Sequence, residues 1–398
     1  MKISGERLSN CSESIEPFKT KFDEIVQKME LTAAQIYNAD ETALFWKSFE
    51  VSTLVSQEEK SAPGRKKAKE RITFMPCSNA DGSNKLRLMV LGKSKNPRPF
   101  KNISLPVYYR SSKKGWMNKN LFKEWFQNEF VVSVRAFSEQ NNIRPTALLV
   151  LDNAPSHYEG NELESDDGLI KVIYLPPNTT ALLQPMDQNV IYCIKTKYRI
   201  QLVKELLASE NVDQGIKLIN IKDTVFLLHS SWSDISASLI KNSWSKLHNF
   251  NDNLEILENE YLIHLTDKLN QLNMVQNITT VISTEDVTQF LNDPNEQVQY
   301  AQYSDKEIVD LFNRSGTSDW EEQESEILEN ENDSENDFNT TLNATLLVNR
   351  PNNCITKRTA LSNIDNLICY AEQQHYNLEK ILLLRDLRSN ILDDLNQI

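Results

Sequence analysis

The stretch TALLVLD, residues 146–152, constrains this chain of 398 residues more tightly than any other. An unbroken apolar run cannot alternate between core and water, so its strand must be covered on both faces. That calls for helices packed on a sheet, and the flanking patterns fit. Residues 14–30 set Phe18, Phe22, Ile25, Val26 and Met29 at helical spacing. AQIYNAD follows as a short strand ending at Asp40. RITFMPCS and KLRLMVLGK read as a hairpin around the turn NADGSN. Residues 118–137 put Leu121, Phe122, Trp125, Phe126, Phe130, Val134 and Phe137 on one helical face. GLIKVIYLPP is a further strand, and residues 179–208 read as a helix entry followed by a long helix.

The fold class expected is α/β: a mixed five-stranded sheet with flanking helices, followed by a helical region and a disordered acidic segment. In that order the first and fourth strands can be direct neighbours. The domains expected are an N-terminal helical remnant (1–32), a catalytic-type α/β domain (33–210) and a helical extension (211–300) anchored by Trp232 and Trp244. An acidic disordered linker (301–350) and a C-terminal helix (351–398) complete the chain. The helical pattern from Thr359 suits either a short coiled coil, and so a homodimer, or ordinary packing against the body, because the spacing breaks near Gln374.

The net charge of −13 conceals two opposed regions. Residues 303–337 hold 13 acids and 2 bases, whereas residues 60–119 hold 16 bases and 2 acids. A basic cluster on a folded domain is the footprint of a polyanion partner, or simply a solvated surface. The five cysteines are scattered and form no CxxC pair, so neither a disulfide framework nor a zinc finger is expected. No run is long and apolar enough to span a membrane, and no leader opens the chain; the expectation is a soluble, non-secreted protein in a reducing compartment.

Three acids carry the chemistry. Asp40 ends the first strand, Asp152 ends TALLVLD, and Asp187 sits in LLQPMDQ before the long helix. Each alone fits a turn or a helix cap. Together, at compatible strand and helix ends, they fit carboxylates that would repel one another unless a divalent cation bridged them. Two such ions could activate a water or a 3′-hydroxyl and stabilise a leaving phosphodiester oxygen. Asn153, Pro155 and His157 follow the second acid directly, and Pro176, Pro177 and Pro185 stiffen the approach to the third. Glu41, on a strand, would point away from Asp40.

IYNADETALFWK, the run from Lys69 to Asn102, GWM, LLVLDNAPSH and LPPNTTALLQPMDQNVIYCIK, taken in order, closely resemble the DDE transposase domain of the pogo/Tigger group, with the domesticated jerky proteins nearest. The resemblance covers about residues 5–250. It implies an RNase H-like core and two Mg²⁺ (or Mn²⁺) ions held by Asp40, Asp152 and Asp187 for DNA strand cleavage and transfer. Ala43 stands where the family commonly has glycine. Such cores normally follow helix-turn-helix DNA-binding domains, and the stretch before Asp40 has no room for them.

The expected activity is that of a Mg²⁺-dependent endonuclease or transposase. The alternative is a catalytically inactive, domesticated protein that binds DNA, RNA or chromatin. Nucleic acid would meet Arg65, Lys66, Lys67, Lys69, Arg71, Lys93, Lys95, Arg98 and His157. GRKKAKER could also direct the chain to the nucleus. A third reading is an oligomeric scaffold joined through the C-terminal helix.

Overall fold

The computed structural model describes residues 12–47, 70–154, 163–209, 211–248, 258–276, 278, 281–292, 296 and 356–395. Arg65, Lys66, Lys67, Lys69, Pro155, His157 and the acidic stretch lie outside the described residues.

The chain opens with α1 (Ser12–Met29), whose Phe18 and Phe22 are buried against the sheet, as the spacing predicts. The strands are β1 (Ile36–Ala39), β2 (Thr42–Phe45), β3 (Arg71–Met75), β4 (Cys77–Asn79), β5 (Met89–Gly92), β6 (Tyr108–Ser111), β7 (Ala147–Leu151) and β8 (Ile170–Tyr174). They form two four-stranded sheets, β4-β1-β7-β8 and β2-β3-β5-β6. The sheets are halves of one ribbon, because β1 runs on into β2 and β3 into β4. Ala39 pairs with Cys77 and Thr42 with Phe74, so the register passes through without slip and places Asp40 opposite Pro76. Proline has no N–H to donate, and the ladder lapses there; the Asp40 N–H to Pro76 carbonyl bond, at 3.4 Å, spans the gap.

Merged, the order is β6-β5-β3/β4-β1/β2-β7-β8. The five expected strands are present, but the first was expected to end at Asp40 and instead continues as β2, and β6 was not expected. It is a four-residue edge strand parallel to β5, and Tyr-Tyr-Arg-Ser carries no apolar alternation to announce it. β1 and β7 are parallel neighbours, with Asn38 opposite Val150, as the sequence reading proposes for the first and fourth strands. All five residues of β7 are buried. The hairpin turn holds Gly82 at φ +71°, where a Cβ would lie 2.7 Å from the Ala237 Cα.

One face is covered by α2 (Lys119–Trp125) and α3 (Val131–Gln140). The expected single helix is interrupted by a π-helical turn at Phe126–Phe130, which lets Phe122, Trp125, Phe126, Phe130 and Val134 all reach the core. The other face is covered by α4 (Thr180–Leu183) and α5 (Val190–Ala208), then α6 (Val212–Leu218), α7 (Ile221–Ser233) and α8 (Ala237–Ser243). Trp232 and Trp244 are buried as anchors, and the Trp232 indole donates to the Leu86 carbonyl at 2.8 Å. α9 (Glu258–Val275) and α10 (Thr284–Leu291) pack against α5 through Leu265, Leu269, Val287 and Leu291.

The C-terminal pattern forms two helices, α11 (Lys357–Gln373) and α12 (Leu378–Leu395), which turn at His375. Of the two readings of this region, packing against the body is what the structure displays. Ile381 joins the α5–α7 core, Arg388 pairs with Glu205 of α5, and Lys222 of α7 pairs with Glu372 at 2.9 Å. Ile364, Ile368, Ala371 and Ile381 of the apolar pattern offered for a homodimer are buried within the chain, whereas Leu367 is exposed.

Candidate metal centre at the ends of the central strands

β1 and β7 are parallel neighbours, so Asp40 and Asp152, each two residues beyond the registered pair Asn38–Val150, lie side by side where β7 ends and the β1 ladder lapses. Both are 6 % exposed. Asp187 arrives from the opposite direction. A single turn spans Pro185–Asp187, and Asn189 then takes a left-handed conformation (φ +70°) to start α5. The helix-capping role open to Asp187 is not taken, since Asn189 is the residue at the N-cap. Its carboxyl lies beside that of Asp40, close enough for each to bear on the other's ionisation.

Glu41 departs from the expectation that it points away. It is 2 % exposed, and its carboxylate lies with those of Asp40 and Asp152 so that one oxygen from each is within 4.8 Å of the others. Opposite Pro76 the ladder lapses, and this pair is released from the strict alternation of a paired strand. Three carboxylates therefore converge on one place, and Asp187 joins them on the Asp40 side.

The electrostatics follow. Burial raises the Asp40 pKa well above its ordinary 3.8, and the neighbouring charges of Asp187, Asp152 and Glu41 push it further. Asp187 is exposed as a residue, yet its carboxyl is raised too, chiefly by desolvation, while the contact with Asp40 and the Lys195 ammonium act against this rise.

The neighbouring cations are already engaged. Glu296 accepts from Arg199 at 2.6 Å and from the Phe45 N–H at 3.0 Å, and its other oxygen lies 3.3 Å from Lys195. All three side chains are buried. Two cations against one carboxylate leave a single positive charge beside four acids. Buried like charges at this density call for a cation, and an all-oxygen donor set suits a hard divalent ion. The residues present fit such an ion.

The cluster Lys195, Arg199 and Glu296 was missed by sequence reasoning. Its signal was Lys195 and Arg199 four residues apart on a helix buried all round; Glu296 gave none, since it lies about a hundred residues downstream.

Of the expected nucleic-acid contacts among the described residues, Arg71 stands apart from the acids. Arg71 pairs in register with Phe45, at the far end of β2, about 13 Å from Glu41 at ~3.3 Å per strand residue. Its guanidinium lies 5.1 Å from the Trp116 ring, with Lys114 at 5.3 Å. Lys93, Lys95 and Arg98 are exposed on the segment after β5. Other bases of this region are structural: Lys85 donates to the Ser233 and Ile235 carbonyls at the end of α7, Arg87 pairs with Glu129, and Arg110 pairs with Glu124.

Residues 69–244 match the DDE superfamily endonuclease family. Over 266 residues the chain is 40 % identical to the human Tigger transposable element-derived protein 7, covering 62 % of this chain and 48 % of that protein. Over 251 residues it is 32 % identical to the human Jerky protein homolog, covering 62 % and 43 %. Residues 69–244 thus match a DDE superfamily endonuclease domain, and the chain is similar to Tigger-derived and jerky proteins. Asp152 and Asp187 lie inside the matched stretch of this DDE domain, and Asp40 lies ahead of it. The chain spans about half the length of these curated relatives. A solved structure, the Mos1 transposase paired-end complex with left transposon end, is similar at a TM-score of 0.35 and 11 % identity, over 67 % of this chain and 66 % of that one.

Proposed function

We propose that this transposase-derived domain cleaves or transfers DNA strands using Mg²⁺ or Mn²⁺ held by Asp40, Asp152 and Asp187, with Glu41 beside them. The observation that carries this reading is the convergence of three buried carboxylates, with Asp187 beside Asp40, at the ends of β1, β7 and the turn before α5. Divalent ions bound there, two in the family's usual chemistry, would neutralise the phosphodiester and make a water or 3′-hydroxyl nucleophilic. The chain's own contribution is placement. β1 and β7 hold Asp40 and Asp152 at fixed separation, and Lys195, itself held by Glu296, draws on Asp187. Residues 33–210 would form the catalytic domain, and residues 211–300 an extension that brings in Glu296.

Plasmid nicking tests this. Purified protein should nick DNA in Mn²⁺ or Mg²⁺, and Asp152→Asn should abolish the reaction. Wild-type protein that nicks nothing, and that binds metal no better than Asp152→Asn, would overturn it.

A second reading is favoured by the basic and aromatic cluster of Arg71, Lys114 and Trp116 with the exposed Lys93, Lys95 and Arg98. These could hold a nucleic-acid backbone without catalysis, in a nuclear protein that binds DNA, RNA or chromatin. Asp152→Asn protein that binds DNA as tightly as wild type, with no cleavage by either, would favour it.

A further inference from the structure

Asn38 and Gln184 are fully buried polar residues, two and three positions before Asp40 and Asp187 respectively. Their side chains meet. The Asn38 amide donates to the Gln184 Oε1 at 2.9 Å and to the Val150 carbonyl at 2.8 Å, and its Oδ1 accepts the Met186 N–H at 2.9 Å. Gln184 returns a bond from Nε2 to the Ala39 carbonyl at 3.1 Å. Every donor faces an acceptor, and turning either amide over would set donor against donor.

The backbone partners are as informative as the pair. Ala39 precedes Asp40, Val150 lies two residues before Asp152, and Met186 precedes Asp187. One amide pair thus joins the three segments that carry the acids. Regular pairing links only two of them, β1 with β7; the turn before α5 belongs to neither sheet. A polar group placed in a core carries a desolvation cost that an apolar residue of the same shape would not. Here its bonds fix a distance that packing alone leaves adjustable.

We propose that Asn38 and Gln184 are positioning residues for the acidic centre, holding Asp187 at the spacing from Asp40 and Asp152 that a shared divalent ion requires. This rests on those three acids being metal ligands, and it adds two residues that touch neither metal nor substrate.

The test is Mn²⁺ affinity by calorimetry, read beside melting temperature. Gln184→Met, unbranched and similar in volume, should keep a cooperative melt and lose about 10–100-fold in Mn²⁺ affinity, as for lost groups that orient metal ligands. In an Asp187→Asn background the same change should cost nothing further, because the ligand it positions is gone. The exchange Asn38→Gln with Gln184→Asn, which restores two facing amides, should recover part of the affinity. Gln184→Met that melts lower yet binds Mn²⁺ like wild type would overturn the proposal, as would equal losses with and without Asp187. If Gln184→Met does not fold, Asn38→Leu carries the same comparison; loss of the fold in both would assign the pair to the core. Wild-type protein that binds no Mn²⁺ would instead refute the metal-site reading itself.

Discussion

The Asp187 carboxyl lies beside that of Asp40, although one follows a central strand and the other sits in the turn before a long helix. Buried carboxyls this close repel one another when ionised. Without a cation the centre is therefore under strain, and removing a charge should relieve it. Asp152→Asn should stabilise metal-free protein near neutral pH by roughly 0.5–2 kcal/mol, as other stabilising changes do, and so raise its melting temperature. Mn²⁺ should raise the wild-type melting temperature and leave the variant's almost unchanged. Calorimetric melts with chelator and with Mn²⁺ check both.

The same strain sets a pH dependence. Asp40 and Asp187 have folded-state pKa values above the ordinary 3.8, so between the two values the native state holds protons that the unfolded chain has released. Stability from this source grows as pH falls through the raised values and is lost as pH rises through them. The advantage of Asp40→Asn over wild type should be largest at neutral pH and shrink on acidification toward pH 3.8. Melting temperature against pH, in chelator, reads this directly.

Glu296 neutralises two buried cations, and its loss would leave both uncompensated. Glu296→Ala should cost about 3–5 kcal/mol, the range for breaking one side of a buried pair. Glu296→Gln should cost less, because it can still accept from the Phe45 N–H. Denaturant unfolding of the two variants makes the comparison.

Exposed bases should act through the phosphate backbone alone. Alanine at Lys93, Lys95 and Arg98 should lower the slope of log affinity against log salt by about 2–3, near 0.9 for each phosphate left without its cation. Asp152→Asn should leave that slope as it is. Fluorescence anisotropy with a labelled duplex across a salt series separates the two.

Much of the centre was legible because its signals are local. An apolar run ending in an acid marks β7 and Asp152, and the short strand before Asp40 marks its neighbour. Helical spacing located Phe18, Phe22, Trp232 and Trp244 in the core. What escaped reading depends on residues distant in sequence. Glu41 turns inward because Pro76, on another strand, breaks the ladder opposite Asp40. Glu296 reaches Lys195 and Arg199 from beyond α10, with no periodicity to mark it. Asn38 and Gln184 read as ordinary polar residues until they are seen facing each other. β6 is too short, and the π-helical turn too slight a change of period, to stand out from the residues around them.

The most direct measurement is anomalous scattering from crystals soaked in Mn²⁺. The expected outcome is a peak bridged by carboxylate oxygens of Asp40 and Asp152 with Asp187 at its edge, absent from Asp152→Asn crystals soaked alike. Density confined to other acidic surfaces, or a centre that holds no ion at saturating Mn²⁺, would contradict a metal centre at these strand ends.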